Sequence, residues 1–282
     1  MRGAIAAGHE ETVDAAESVL IDGGNAFDAA LAALTASFVA EPVLASPAGG
    51  GFLLAKPAGA EPRLYDFFVQ TPAHRGDEAD LDFYPISADF GSTTQEFHIG
   101  LGTVAVPGVL RGMFEVRREL GTRPMHELMR PGIELARRGV RVTRYQADLL
   151  QIVRPCFTAT PEIMSIFGSP SRPDELVGEN ELLMMPDLAD SLEAIAIEGD
   201  GLFYQGEIAR RVLEAQRMGG GQLTDADLAG YEVVHRRPLS IRYRESTIPT
   251  NPPPSSGGIL PAFGLVLLSA WGLHDEQPDD PR

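Results

Sequence analysis

The sequence predicts an α+β protein, and three features predict it. A capped, apolar helical segment over residues 26–39 runs into a proline and then a glycine-lined turn. Amphipathic runs at helical spacing fill the middle of the chain. Short β-type runs occur in two places far apart in sequence, at residues 52–69 and 233–243.

The first helix is read over Thr12–Leu20, where Val13, Ala16 and Leu20 share a face and Gly23 ends it. Gly23 and Gly24 tolerate positive φ after a helix. Asn25 is a good N-cap, and Asp28 places negative charge in the first turn, where the helix dipole favours it. Ala26 to Val39 is apolar on nearly every face, which predicts burial all round; Pro42 stops it. Gly49–Gly51 remove three side chains at the mouth of a strand, where another backbone or a ligand can approach closely. Phe52–Lys56 and Leu64–Val69 read as strands joined by a turn at residues 57–62. Gln70–Thr94 reads as a long loop, and Glu96–Val106 as a strand before Pro107.

Helices follow. Gly108–Leu120 keeps the spacing through Val109, Met113, Val116 and Leu120. Met125–Arg138 is expected in two pieces because it contains Pro131. Thr143 caps a helix over Arg144–Val153, and Pro155–Leu183 is read as irregular. Pro186–Glu198 closes at Gly199, and Glu207–Met218 stops at Gly219–Gly221. Thr224 caps a short helix with Asp227 at the third position. Val233 and Leu239–Tyr243 return to strand, Ile259–Trp271 is an apolar helix, and residues 274–282 are expected to form a disordered acidic tail.

The 282 residues are 44% hydrophobic, enough for a core, and carry a net charge of -17 with a pI near 4.7. That charge disfavours nucleic acid and anionic membrane as partners. Cys156 is the only cysteine, so no intrachain disulfide forms. The opening residues are too short in apolar length for a signal peptide, which places the expectation on a cytoplasmic protein, or an exported one if a leader has been lost.

Few side chains stand out as chemistry. Ser255 and Ser256 lack a nucleophile elbow and follow three prolines, so Ser256 is read as a helix N-cap. His9, His74, His98, His126, His235 and His274 show no metal-ligand spacing and are read as surface or satisfied core residues. Cys156 is read as a small buried side chain. Gly49–Gly51 lack the following Lys-Ser/Thr of a phosphate loop. Arg137-Arg138 and Arg236-Arg237 are read as solvated.

Three blocks in order carry a resemblance: Gly23-Gly24-Asn25-Ala26-Phe27-Asp28-Ala29-Ala30 with Glu41-Pro42 and Gly49-Gly50-Gly51-Phe52; Leu223-Thr224-Asp225-Ala226-Asp227-Leu228-Ala229-Gly230-Tyr231; and Pro252-Pro253-Pro254-Ser255-Ser256-Gly257-Gly258. Together they resemble the large-subunit portion of the γ-glutamyltranspeptidases. The resemblance implies an Ntn-hydrolase fold, an αββα sandwich of which this chain is the incomplete large-subunit half. It implies a self-cleaving precursor, a freed threonine that is nucleophile and base in one, and an acyl-enzyme on γ-glutamyl amides such as glutathione, with no cofactor or metal. The partners implied are such a small molecule and the small-subunit half.

Two departures matter. The family threonine lies well downstream of the proline block, so the nucleophile is expected beyond Arg282, and the chain alone is expected to be inactive. The family's Asp-Phe-Arg-Glu segment, whose arginine grips the substrate carboxylate, reads here Asp66-Phe67-Phe68-Val69. Phe68 stands at the arginine position, and Arg63 and Arg75 are too far along the chain for simple replacement. Phe68 is open to two readings: ordinary strand burial, or a pocket wall suited to an uncharged donor. An acylase of the same superfamily is thus the alternative to a γ-glutamyl enzyme, and a non-catalytic remnant is a second.

Overall fold

The computed structural model describes residues 3–270, so the expected acidic tail lies outside the described residues. In chain order the elements are α1 (Glu10–Ile21), α2 (Ala26–Ala40), β1 (Phe52–Ala55), β2 (Arg63–Asp66), β3 (Tyr84–Asp89), β4 (Thr94–Ile99), α3 (Val109–Leu120) and α4 (Met125–Arg138). There follow β5 (Val140–Arg141), α5 (Arg144–Ile152), α6 (Arg154–Phe157), α7 (Pro161–Phe167), β6 (Leu182–Leu183), α8 (Pro186–Glu198), α9 (Gly201–Tyr204), α10 (Glu207–Met218) and α11 (Asp225–Ala229). The described residues end with β7 (Val234–Arg236), β8 (Leu239–Tyr243), β9 (Ser246–Thr250) and α12 (Ser256–Ala270).

These divide into two compact units. The first holds the residues up to Gly50 together with Phe68–Glu232; the second holds Gly51–Phe67 and the residues from Val233 onward. The first unit is built on helices. Asn25 caps α2 in a full capping box with Asp28, as the sequence predicts. Burial is deepest from Leu31 to Ala40, whereas Ala26 and Ala30 are exposed, so α2 is buried along most of its length but not all round. The buried face of α1 runs through Thr12, Ala15, Ala16 and Val19, so it is turned from the one expected through Val13 and Leu20.

Helix α4 corrects the expectation of two pieces. It is continuous through Pro131. A proline inside a helix costs about 3 kcal/mol, partly by leaving the carbonyl four residues back without its donor. That residue is Glu127, on the exposed side, where water can serve. Met125, Leu128, Met129, Ile133, Leu135 and Ala136 are buried and offset the cost. Two other regions hold more structure than predicted. Residues 70–94 include β3, which pairs antiparallel with β4 from Tyr84↔Ile99 to Asp89↔Thr94. Residues 155–183 include α7 and β6. Tyr84, Ile86 and Ala88 do alternate with polar or proline positions, but Pro85 and the surrounding Pro, Gly and Asp obscure the strand, and residues 155–183 are largely exposed. The arginine pairs are not simply solvated: Arg137 bridges to Asp190 and Glu193 of α8, and Arg138 to Glu11 of α1.

In the second unit, β1, β2 and β7 form an antiparallel sheet with β2 in the centre. The hairpin β8–β9 turns at Arg244-Glu245, with Arg244 at φ 53°. Helix α12 begins with Ser256 as its first helical residue, so the cap position falls on Ser255, not Ser256. This helix is apolar, yet Leu260, Phe263 and Val266 are largely exposed. No helix among the described residues is long and apolar enough to cross a membrane. The chain is thus α+β, with helix predominating.

Helices α2 and α4 approach closely at Gly132. A Cβ at Gly132 would stand 2.6 Å from Thr35 Cγ2 and 2.7 Å from the Thr35 carbonyl carbon and oxygen. Alanine is a better helix former by about 1 kcal/mol, but here it meets backbone, and overpacking costs about 1–3 kcal/mol. Gly132→Ala is therefore expected to lower Tm, against its helix propensity. An unchanged or raised Tm in thermal denaturation would mean that the two helices can move apart freely.

Candidate functional site

The stretch that bears Phe68 starts in the second unit. Strand β2 holds Tyr65 and Asp66 between β1 and β7, both buried. Asp66 Oδ2 lies 2.6 Å from Arg236 Nε. Tyr65 meets His235 edge-on at 5.0 Å between ring centres. The Phe67 N–H donates to Gly51 O at 3.0 Å, and the Gly51 N–H returns the bond to Phe67 O at 3.2 Å. With Phe68 the chain enters the first unit.

There the backbone is held from several sides. Gln70 exchanges both hydrogen bonds with Val106, at 3.1 and 2.8 Å. A Cβ at Gly50 would come within 2.4 Å of Val69 N and 2.9 Å of Phe68 Cα. What approaches the Gly50 backbone is therefore another backbone, one of the two readings of that turn. Gly49 O accepts from the N–H groups of Gly108 and Val109 at 2.9 and 3.1 Å, which anchors the start of α3.

The block Leu223–Tyr231 braces the same stretch, a role that sequence reasoning missed. The Tyr231 hydroxyl donates to Phe68 O at 2.8 Å. Asp227 Oδ1 accepts the Ala73 N–H at 2.8 Å, while its Oδ2 completes the capping box with Thr224. Burial pushes the Asp227 carboxyl up, but the donors from Ala73 and Thr224, with His74 nearby, hold it below the usual carboxylate range. Behind Tyr231 lies Tyr204, its ring nearly parallel at 6.0 Å. Tyr204 donates to Pro107 O at 3.0 Å and accepts from Arg111 N at 3.2 Å. Burial raises its hydroxyl well above an ordinary phenol. The Arg111 guanidinium lies 4.3 Å over the same ring and pairs with Asp200. A capping signature was legible in Thr224 and Asp227; their long-range partners were not, because nothing local marks them.

Phe68 itself is 45% exposed, beyond the end of β2. Ordinary strand burial is thereby corrected: the residue's carbonyl is held by Tyr231 while nearly half of the residue is exposed. Three residues on, a cavity of about 530 Å³ opens, lined by Thr71, Pro72, His74, Arg75, Phe83 and Gln222 among others. Arg75 thus stands on a cavity wall, but Phe68 does not line it. Ser255 is buried and Ser256 is helical. Cys156 is only half-buried, with its thiol raised by burial. The Thr93-Thr94 pair sits at the exposed tip of β3–β4.

Residues 12–282 match the sequence model of the family described as Gamma-glutamyltranspeptidase. The chain is 32% identical to an Acylase ACY 1 proenzyme of Pseudomonas sp. (strain V22), over 96% of this chain and 48% of the relative. It is 30% identical to a Glutathione hydrolase proenzyme of Bacillus subtilis (strain 168), over 96% of this chain and 45% of the relative. The crystal structure of Helicobacter pylori gamma-glutamyltranspeptidase is similar with a TM-score of 0.84 at 28% identity, covering 99% of this chain and 78% of that one. The chain spans about half the length of the curated relatives it matches.

The bracing of Phe68 has a measurable consequence. Tyr231→Phe removes one hydrogen bond and leaves Phe68 O without that donor, at a cost of about 0.5–1.5 kcal/mol. Hydrogen exchange of the Val69 and Gln70 amides is expected to quicken in this variant, with α1 and α2 unaffected. Unchanged exchange at residues 69–70 would show that the Tyr231 bond does not hold this stretch.

Proposed function

The chain belongs to the γ-glutamyltranspeptidase family, and from that premise we propose that it forms about half of an Ntn hydrolase that transfers an acyl group from an amide donor. On this reading the nucleophile is a threonine in the half of the relatives' length that this chain does not span. Its α-amino group takes the hydroxyl proton, the oxygen attacks the amide carbonyl, and the amine leaves with that proton. Water or an amine then releases the acyl group. The part of the chain in hand supplies the frame and the donor-facing residues. The exposed apolar face of α12 is covered, on this reading, by the missing half.

One observation selects among donors. Where the family arginine would grip a carboxylate, this chain projects the exposed ring of Phe68 from a backbone fixed by Tyr231, Gly50 and the Gln70–Val106 bridge. A guanidinium binds a carboxylate through paired, charge-assisted hydrogen bonds. Each is worth about 1.5–3 kcal/mol, and 1.4 kcal/mol is about tenfold in affinity. Phenylalanine offers no such bond, so on this reading the donor's matching end is uncharged, an acyl group without an α-carboxylate. The similarity to an acylase proenzyme supports this reading. A γ-glutamyl donor such as glutathione is the second reading, favoured by the similarity to glutathione hydrolase proenzymes. It requires another cation to replace the arginine, and Arg75 is the candidate.

Two assays test this. The 282-residue chain alone is expected to release no anilide from a γ-glutamyl or an uncharged acyl anilide; turnover above a heat-killed control would place a nucleophile within it. In the longer protein that this reading requires, Phe68→Arg is expected to raise kcat/KM for γ-glutamyl donors about tenfold or more relative to donors without the carboxylate. A ratio that stays put in a folded variant would remove Phe68 from donor selection.

A further inference from the structure

Three buried side-chain nitrogens among the described residues have no hydrogen-bond partner, and two of them, His9 Nε2 and Gln146 Nε2, line the same small cavity. Both residues are only 7% exposed. The cavity lies where α1 begins, α2 ends and α5 begins, all within the first unit. Glu41, Gly8, Thr143 and Leu149 are among its other walls, with Val43, Leu44 and Tyr145. Its volume is about 20 Å³, and about 10–15 Å³ is the least that admits one water.

The hydrogen bonds already made fix what the two nitrogens are. His9 Nδ1 accepts the Glu11 N–H at 3.1 Å as the cap of α1, so the ring proton sits on Nε2. Gln146 Oε1 accepts from the Thr143 N–H at 2.9 Å and the Thr143 hydroxyl at 3.1 Å, so the other end of that amide is its NH₂ group. Both unpartnered groups are therefore donors. The third polar wall is an acceptor. Glu41 Oε1 takes the Thr12 hydroxyl at 2.9 Å, and Oε2 lies against Gly8, where a Cβ would stand 2.2 Å away. A cation would meet two donors, and an anion would meet a carboxylate. Only a molecule that both accepts and donates satisfies all three walls.

We propose that this cavity is a binding site for one structural water, which accepts from His9 and Gln146 and donates to Glu41. The water closes the junction of three helix ends. It also fixes Glu41, whose carbonyl accepts from Leu44 N and Ala45 N at 2.9 Å each and so starts the turn toward Gly49 and Gly50. Leaving two buried donors unsatisfied is costly, which is why such sites hold water.

A crystal structure of the chain at about 1.8 Å or better tests the proposal, paired with a bromide soak. A single peak within hydrogen-bond distance of both nitrogens, without anomalous signal from bromide, is the expected result. His9→Asn keeps an acceptor for the Glu11 N–H and replaces the Nε2 donor by a shorter amide whose NH₂ lies back toward the α1 backbone. In its crystals the peak should be lost, and Tm should fall by about 2–4 °C. An empty cavity in the unmodified chain, a bromide peak within it, or a His9→Asn chain as stable as the unmodified one each overturns the proposal.

Discussion

The carboxylate of Asp28 is the constraint on which the first unit depends. It is buried in the first turn of α2 and accepts hydrogen bonds from Asn25 N, Thr122 N, Arg123 N and the Thr122 hydroxyl. Burial alone would raise its pKa, but these donors outweigh burial and hold the group ionised below the ordinary carboxylate range. The Asn25 side-chain amide adds a bond to Leu120 O at 2.7 Å. One helix start therefore captures the loop between α3 and α4. That capture seats α4 on α2, where Gly132 meets Thr35 with no room for a side chain. An apolar residue at position 28 would leave the Asn25, Thr122 and Arg123 backbone donors without this acceptor, a larger loss than the cap alone.

The same economy governs the other blocks that resemble the family. Gly50 is small because the backbone of Phe68 and Val69 lies on it, not because an anion must be cradled. Asp227 lies in the first turn of a short capped helix and Tyr231 just beyond its end, yet each also reaches a backbone group of the Phe68–Ala73 stretch far away in sequence. Even Glu41 joins separate helix ends. Most of these residues act on one another as a frame. Phe68, by contrast, has its carbonyl held by Tyr231 while nearly half of the residue is exposed.

What was legible in the sequence follows from range. Caps and stops are local chemistry, so Asn25 with Asp28, Thr143 with Gln146, Thr224 with Asp227, and Gly199 at φ 97° were all readable, and the helices they bound fell within a few residues. Pro131 misled because a local penalty was outweighed by tertiary burial of α4. Strand β3 was missed, although its partner β4 overlaps the strand read at Glu96–Val106, because Pro85 and the Pro-, Gly- and Asp-rich surroundings obscure the alternation of Tyr84, Ile86 and Ala88. The family was legible in three ordered blocks, and the family match bears this out. The bracing of Phe68 was not legible, since Tyr231 and Phe68 lie 163 positions apart and no periodicity links them.

The second unit carries a similar separation, with a consequence for the order of assembly during synthesis. Strand β2 pairs with β1 at once through a short turn, but its other edge waits for β7; the Asp66–Arg236 pair spans 170 positions. Ribosomes add about 5–20 residues per second, so the hairpin waits on the order of ten to thirty seconds. During that interval it is a two-stranded ribbon, marginal in water by itself, with an acidic side chain lacking its guanidinium. All the sequence of the helical unit is made before the third strand exists. The helical unit can thus collapse first, and the small sheet becomes a late clasp whose closing strand is supplied only after residue 233 has left the ribosome.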